Sequence, residues 1–98
     1  MHFKIKIEPE AKQDIQKAIK WYNKQEKGLG KKFHKKVVEY IDSLSKTPYF
    51  ENKYNDVHCL PIKKYPFMIH YTINKKSKVV TVRAVFHTSL NPKNWEKR

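Results

Sequence analysis

The chain contains few of the features that mark secreted or membrane proteins. Among its 98 residues there is a single cysteine, Cys59, so no disulfide can form within the chain. The N-terminal sequence MHFKIKIEPE has no apolar stretch that could serve as a signal peptide or a membrane span. We therefore expect a protein of a reducing cytoplasm, with no membrane partner.

Acidic residues are also scarce. Asp and Glu number 9 against 22 Lys and Arg, which leaves a formal net charge of +13. A charge of this size on a small surface produces a positive field, so the natural partners are polyanions or acidic proteins. The only arginines are Arg83 and Arg98. Because lysine acts as a mobile point charge, whereas arginine makes planar paired contacts with phosphate, most of this charge indicates general attraction.

The spacing of apolar residues predicts one strand followed by two helices. Residues 3–7 alternate apolar and Lys side chains, the pattern of a strand with one buried face. Pro9 suits the first position of a helix, and Gly28 and Gly30, the only glycines, separate two stretches of helical spacing. The apolar residues of these stretches are Ala11, Ile15, Ala18, Ile19 and Tyr22, then Phe33, Val37, Tyr40, Ile41 and Leu44.

Three more strands are expected after the helices. An irregular connection is predicted over residues 49–56, because Pro48 disfavours helical conformation in the residue before it. The simplest packing lays the helix hairpin on one face of a four-stranded, largely antiparallel sheet, in an α+β fold with a single domain over residues 1–98. The C-terminal strands, rich in Val, Ile, Tyr and Thr, are predicted at residues 57–62, 67–73 and 78–86.

The last predicted strand carries the best candidate site. Alternation places Arg83 and His87 on its more open face, opposite to Ala84 and Phe86. On the preceding strand His70 belongs to the more polar face, so antiparallel pairing could bring it near Arg83 or His87. Histidine moves protons and arginine stabilises charge on phosphate, as metal-free RNA cleavage requires. Alternatively, Arg83 and His87 hold the C-terminal tail or accept a partner peptide.

A second candidate lies between two predicted strands. Lys63, Lys64 and Tyr65, followed by Pro66, combine cations with an aromatic ring, which can contact phosphates and a stacked base. A plain hairpin loop is the alternative interpretation. The lysines of the helices are interpreted as solvated faces. These are Lys12, Lys17, Lys20, Lys24, Lys31, Lys32, Lys35 and Lys36.

Neither a metal site nor a cofactor site is expected. His58, Cys59, His70 and His87 are residue types that bind zinc, but His58 and Cys59 are neighbours in a predicted strand and point to opposite faces. Cys59 lies in an apolar run, whereas a reactive thiol needs a cationic, accessible setting. We predict a buried, inert thiol.

Four phrases occur along the chain in an order that resembles one protein family. They are IEPEA at residues 7–11, AIKWY at 18–22, GLG at 28–30 and VRAVFHTS at 82–89. Together they resemble the RelE/ParE toxins of bacterial type II toxin-antitoxin systems. The resemblance implies a growth-inhibiting cytoplasmic toxin, neutralised by an antitoxin whose flexible, often acidic segment folds across it.

The resemblance leaves two targets to consider. One branch of the superfamily cleaves messenger RNA in the ribosome with basic residues along the hairpin strands, and the aligned positions here are Cys59, Pro61 and Met68. The strand ending at His87 looks more like the other branch, ParE, which inhibits DNA gyrase, although that branch often has arginine where this chain has Leu90. We therefore predict gyrase inhibition by binding.

Two alternatives stay open. The first is a ribosome-dependent endoribonuclease in which His87, His70 and Arg83 share catalysis while Lys63 and Lys64 hold phosphates. The second is a non-toxic basic module that binds nucleic acid. In all three cases Trp95 is expected to pack as an anchor near the C-terminus, because it is a large apolar side chain.

Overall fold

Five strands form one sheet, and two helices pack on one face of it. The computed structural model describes residues 2–48, 52–54 and 56–90, with only the backbone of 52–54, so the expected packing of Trp95 lies outside the described residues. The elements are β1 (Lys4–Ile7), α1 (Pro9–Gln25), α2 (Leu29–Ser43), β2 (Asn52–Tyr54), β3 (Val57–Pro61), β4 (Phe67–Asn74) and β5 (Val79–His87). The predicted α+β fold is confirmed.

The sheet is mixed, because its first strand runs parallel to its last. The spatial order is β1-β5-β4-β3-β2, with β1 parallel to β5 and every other neighbouring pair antiparallel. Two parallel strands need a long connection between them. Here the connection from β1 to β5 begins with the two helices. The short edge strand β2 makes a fifth strand within the segment for which the sequence predicted an irregular connection.

The helices form where the sequence predicted them. Pro9 occupies the first turn of α1, where a backbone N–H makes no hydrogen bond within the helix, so the lack of an N–H in proline costs no hydrogen bond. Ala11, Ile15 and Ala18 are buried. The same periodicity buries Phe33 and Val37 of α2. None of the described helices combines the length and the apolar content needed to cross a membrane.

The turn between the helices depends on both glycines. Gly28 adopts a left-handed φ of 86°, a conformation that side chains with a Cβ rarely take. Gly30 is placed so closely against α1 that its N–H donates to Asn23 Oδ1 at 2.9 Å. Two features therefore set the angle between the helices. They are the left-handed backbone of Gly28 and the close contact of Gly30 with α1, which leaves no room for a side chain.

A bulge in β5 changes which side chains face the helices. The pairing with β4 shifts from Tyr71↔Val82 to His70↔Ala84, so Arg83 is an additional residue on β5. Beyond it Val85 belongs to the core with the helices, and its N–H donates to Asp14 Oδ2 of α1 at 3.0 Å. The bulge thus exchanges the two faces of β5 in its last third.

The prediction of the faces of β5 was therefore wrong beyond Arg83. Uniform alternation placed Ala84 and Phe86 toward the helices, but the ring of Phe86 lies 4.9 Å from that of His70, among side chains of the opposite face. His87 correspondingly turns toward the helix side, with its ring 5.2 Å from that of Phe67. An extra residue inverts every later position, since side chains in a strand alternate with period two.

Replacing Gly30 with alanine should destabilise the fold by about 1–3 kcal/mol, because of overpacking. An added Cβ would lie 2.5 Å from the carbonyl oxygen of Ile19 and 2.7 Å from Asn23 Oδ1. Urea unfolding measures the loss. As a matched control, Gly28→Asn should lose less than about 1 kcal/mol, since Asn tolerates left-handed backbone and the site is open. Equal losses in the two variants would contradict this account of the turn.

Candidate functional site

The turn between β3 and β4 and the end of β5 lie together at one end of the sheet. Phe67 pairs with His87, and the N–H of Thr88 donates to the carbonyl oxygen of Pro66 at 2.8 Å. The turn of Lys63 and Lys64 is thus beside His87. The structure therefore brings together the binding residues that the sequence predicted on separate segments, apart from Arg83, which lies farther along β5.

Tyr65 is held by an aromatic cluster and is not free to act as a stacking platform. Its ring packs edge-on against Tyr22 at 5.6 Å and Phe33 at 5.2 Å between centroids. Phe67 completes the cluster, with its centroid 5.2 Å from Phe33. Edge-to-face pairs of this kind stabilise a particular ring orientation. The cluster therefore fixes the turn against both helices.

The same cluster alters the acidity of one phenol. Burial, and secondarily the nearby Tyr65, raise the pKa of Tyr22 above its ordinary value of 10.0. Both effects disfavour the phenolate, since a buried charge loses hydration and a second phenolate would repel it. Tyr22 is accordingly a neutral packing residue at physiological pH.

The turn is also attached to α2 through Tyr40, which the sequence placed among the apolar residues of that helix. The N–H of Lys63 donates to the hydroxyl of Tyr40 at 3.1 Å, and Lys64 adopts a left-handed φ of 73°. This conformation places Lys64 over the basic side of α2. The residues lining the resulting pocket of about 320 Å³ are Lys32, Lys35, Lys36, Glu39, Lys64 and Tyr65.

Sequence reasoning missed the α2 part of this pocket. Lys32, Lys35 and Lys36 follow the three- and four-residue spacing that aligns side chains on a helix, which was the available signal. That spacing is equally typical of a solvated face. Only the position of Lys64 distinguishes a basic pocket from a solvated helix face. That position depends on the tertiary contact between the β3–β4 turn and α2.

His87 is held in one tautomer by the residue that follows the strand. Its Nδ1 accepts from the N–H of Ser89 at 3.0 Å and lies 2.7 Å from Ser89 Oγ. Because Nδ1 accepts the backbone hydrogen bond, the ring proton of the neutral imidazole is on Nε2. His87 is exposed, so it offers a hydrogen-bond donor at the end of the sheet.

The predicted catalytic constellation does not assemble. His70 is fully buried and opposes the bulge of Arg83 and Ala84, as antiparallel pairing suggested, but its ring contacts Phe86 and Cys59 and has no access to solvent. Arg83 is exposed on the bulge. His87 lies on the opposite face, four residues along the strand, or about 13 Å away at 3.3 Å per residue. These three groups cannot act on one bond.

A buried thiol-imidazole contact was not foreseen. Cys59 Sγ lies 3.5 Å from His70 Nδ1, and Cys59 is buried as the sequence predicted, with 4% of its surface exposed. The adjacent His58 instead stacks on Tyr71 at 5.3 Å, toward the helices. The two neighbours thus point to opposite faces. Among the described residues no three His, Cys, Asp or Glu side chains converge in a way that could hold a metal ion.

The three positions that the sequence resemblance aligns with basic residues of the RNA-cleaving branch share one face of the sheet. Cys59 pairs with His70 and Pro61 pairs with Met68 on the adjacent strands β3 and β4. All lie opposite to the helices, because Leu60 and Ile69, which alternate with them, belong to the core. None of Cys59, Pro61 and Met68 supplies a cation, so this face has no phosphate clamp at those positions.

Comparison with known proteins identifies one family. The model described as ParE toxin of type II toxin-antitoxin system, parDE, matches residues 5–92. A solved structure of the chromosomal ParDE system from P. aeruginosa superposes with a TM-score of 0.78 at 14% identity, covering 88% of this chain and 96% of that one. Archaeal RelE in its RelE-RelB complex from Pyrococcus horikoshii OT3 gives 0.58 at 18% identity, covering 93% and 100%. No curated protein sequence matches significantly.

The raised pKa of Tyr22 should make the fold sensitive to alkali. Neutral Tyr22 stabilises the folded state fully below pH about 10, and this contribution is lost as pH rises through the higher folded pKa. Unfolding free energies measured between about pH 9 and 12 should fall less steeply in Tyr22→Phe, which cannot ionise. Identical profiles for the two proteins would contradict the assignment.

Cys59 should resist alkylation in the folded protein. With 4% of its surface exposed, we expect iodoacetamide to label it roughly 100-fold more slowly in buffer than in denaturing urea, because the reagent must await local opening. A Val38→Cys variant is the control, since Val38 is 42% exposed and a thiol there should react promptly. Rapid native labelling at position 59 would show that Cys59 is accessible in the folded protein.

Proposed function

The chain belongs to the ParE toxins of type II toxin-antitoxin systems, and we propose that it inhibits DNA gyrase by binding and that a cognate antitoxin neutralises it. The proposal is for a binding toxin without catalytic chemistry. It is supported by one observation above all: the sheet face that would carry RNA-cleaving groups holds Cys59, Pro61 and Met68.

The positions of the titratable residues support the same conclusion. A general base must reach the proton that it removes, within hydrogen-bonding distance or through one water. His70 is fully buried against Cys59 and Phe86, so it reaches no substrate. His87 and Arg83 lie on opposite sides of the sheet, because the bulge separates their faces. An endoribonuclease built from these three residues is therefore disfavoured.

The exposed residues at the end of the sheet are suited to contact a protein target. Lys63 lies in a turn that is hydrogen-bonded to α2, and His87 is oriented by Ser89, so both side chains leave rigid backbone. Interfaces gain affinity when their contact residues are already ordered, because less conformational entropy is lost on binding. We assign Lys63, Lys64, Tyr65, Arg83 and His87 to the target-binding surface, with Tyr65 in a supporting role.

Charge explains why an acidic antitoxin would bind and neutralise the toxin. With a net charge of +13, the chain attracts an acidic segment over long range and aligns it during encounter. A flexible segment can then cover several separate basic areas, because it folds on the surface that it meets. The antitoxin would thereby cover the groups that contact gyrase.

Induced expression in bacteria, followed by assays on purified protein, tests the proposal. We expect growth arrest with a DNA damage response, intact messenger RNA, and inhibition of gyrase supercoiling. Lys63→Glu and His87→Ala should each raise the inhibitory concentration about tenfold, or roughly 1.4 kcal/mol. Lys76→Glu, in the turn between β4 and β5 at the other end of the sheet, is the matched charge control and should have little effect.

Three outcomes would contradict the proposal. Supercoiling unaffected at saturating toxin would exclude gyrase as the target. Messenger cleavage lost in His87→Ala or Arg83→Ala would establish an endoribonuclease instead. Unimpaired growth on induction, with normal amounts of folded protein, would show that this chain is not toxic by itself.

A further inference from the structure

The basic pocket between α2 and the β3–β4 turn shares Lys64 and Tyr65 with the proposed gyrase-binding surface, but its lysines from α2 have no role in that proposal. Its lining, defined above, contains four lysines and one glutamate. Three of the lysines come from one helix and the fourth, Lys64, from a turn that is distant in sequence. A pocket of about 320 Å³ accommodates one compact anionic group together with its hydration.

The pocket is held open by backbone and ring contacts, not by its own lysines. The hydrogen bond from the N–H of Lys63 to Tyr40 joins the turn to α2, and the left-handed backbone of Lys64 directs the chain across the helix. Tyr65 forms one wall and is fixed by Phe33, itself fully buried. The backbone positions from which the lysines extend are therefore imposed by the fold.

The positive charge of the pocket is largely uncompensated. Among the described residues, Glu39 forms an ion pair with Lys36 at 3.4 Å, and Lys32, Lys35 and Lys64 have no carboxylate within salt-bridge distance. The potentials of neighbouring cations add where their separation does not exceed the screening length, about 8 Å at physiological ionic strength. An anion placed there would relieve repulsion among the three unpaired lysines.

The lining favours phosphate over an acidic peptide. A peptide site uses apolar side-chain pockets or an open strand edge in addition to charge. None of the described residues that line this pocket lies in a strand, and its apolar surface comes from the methylene groups of Lys and Glu and from Tyr65, which is engaged with Tyr22 and Phe33. The cations are all lysines, which contact phosphate as point charges and do not read base edges as paired donors of arginine do. We propose that the pocket binds backbone phosphates of nucleic acid without sequence preference.

Nucleic-acid binding by the purified full chain tests this inference independently of gyrase. Fluorescence anisotropy with labelled duplex DNA, single-stranded DNA and single-stranded RNA would be measured across a salt series. In a variant with Lys32→Gln, Lys35→Gln and Lys64→Gln we expect at least about tenfold weaker binding to all three. We also expect a salt dependence shallower by about 2 in log-log slope, because two to three counterion-releasing contacts are lost.

Two further variants separate a site from general attraction. Lys12→Gln, Lys17→Gln and Lys20→Gln removes the same charge from α1, at residues that lie outside this pocket, and should weaken binding less than about threefold. Glu39→Gln removes the one carboxylate among the described residues of the lining and should strengthen binding about twofold. A gain of affinity cannot result from damage to the fold, so this variant complements the two triple variants.

Other outcomes would overturn the inference. Equal losses in the two triple variants would show that net charge alone attracts nucleic acid. If the pocket variant lost binding to labelled polyglutamate while nucleic-acid binding stayed unchanged, the pocket would be a site for an acidic peptide. Neither result would bear on gyrase inhibition, which is measured with Lys63 and His87 variants.

Discussion

The one-residue bulge in β5 is the constraint from which the rest of the arrangement follows. It places Arg83 and Ala84 opposite the single residue His70, so every side chain after it changes face. The strand stays attached to the helices because Asp14 accepts the N–H of Val85, which would otherwise be unpaired at an edge that β1 no longer covers. The extra residue in β5 and the carboxylate of Asp14 together determine which side chains are exposed at each end of the sheet.

Because of the bulge, the titratable residues His70 and His87 lie in different environments. On the face away from the helices, His70 is fully buried and contacts Cys59 and Phe86, which are also buried. On the helix side, His87 reaches the end of the sheet and is oriented by Ser89. Catalysis on RNA requires such groups to converge on one bond, whereas binding needs only that exposed groups be rigidly held. The three candidate groups His70, Arg83 and His87 therefore do not converge on one site.

The aromatic cluster links this end of the sheet to the helices. Tyr65 and Phe67 come from the β3–β4 turn and the strand after it, and they pack against Tyr22 of α1 and Phe33 of α2. The rings bring the turn close enough to α2 for Lys64 to face the helical lysines. A packing interaction among apolar rings thus creates a concentrated positive charge, which electrostatics alone would disperse because like charges repel.

The sequence by itself determined the α+β class, the helix hairpin and the approximate positions of the strands, since each depends on local periodicity and on Pro9, Gly28 and Gly30. It also indicated the family, through short phrases that follow one another in order. Tertiary structure alone decided the parallel pairing of β1 with β5, the bulge at Arg83, the burial of His70 beside Cys59 and the approach of Lys64 to α2. These features depend on contacts between residues far apart in the chain. Local periodicity does not determine such contacts, because several packings are compatible with the same pattern.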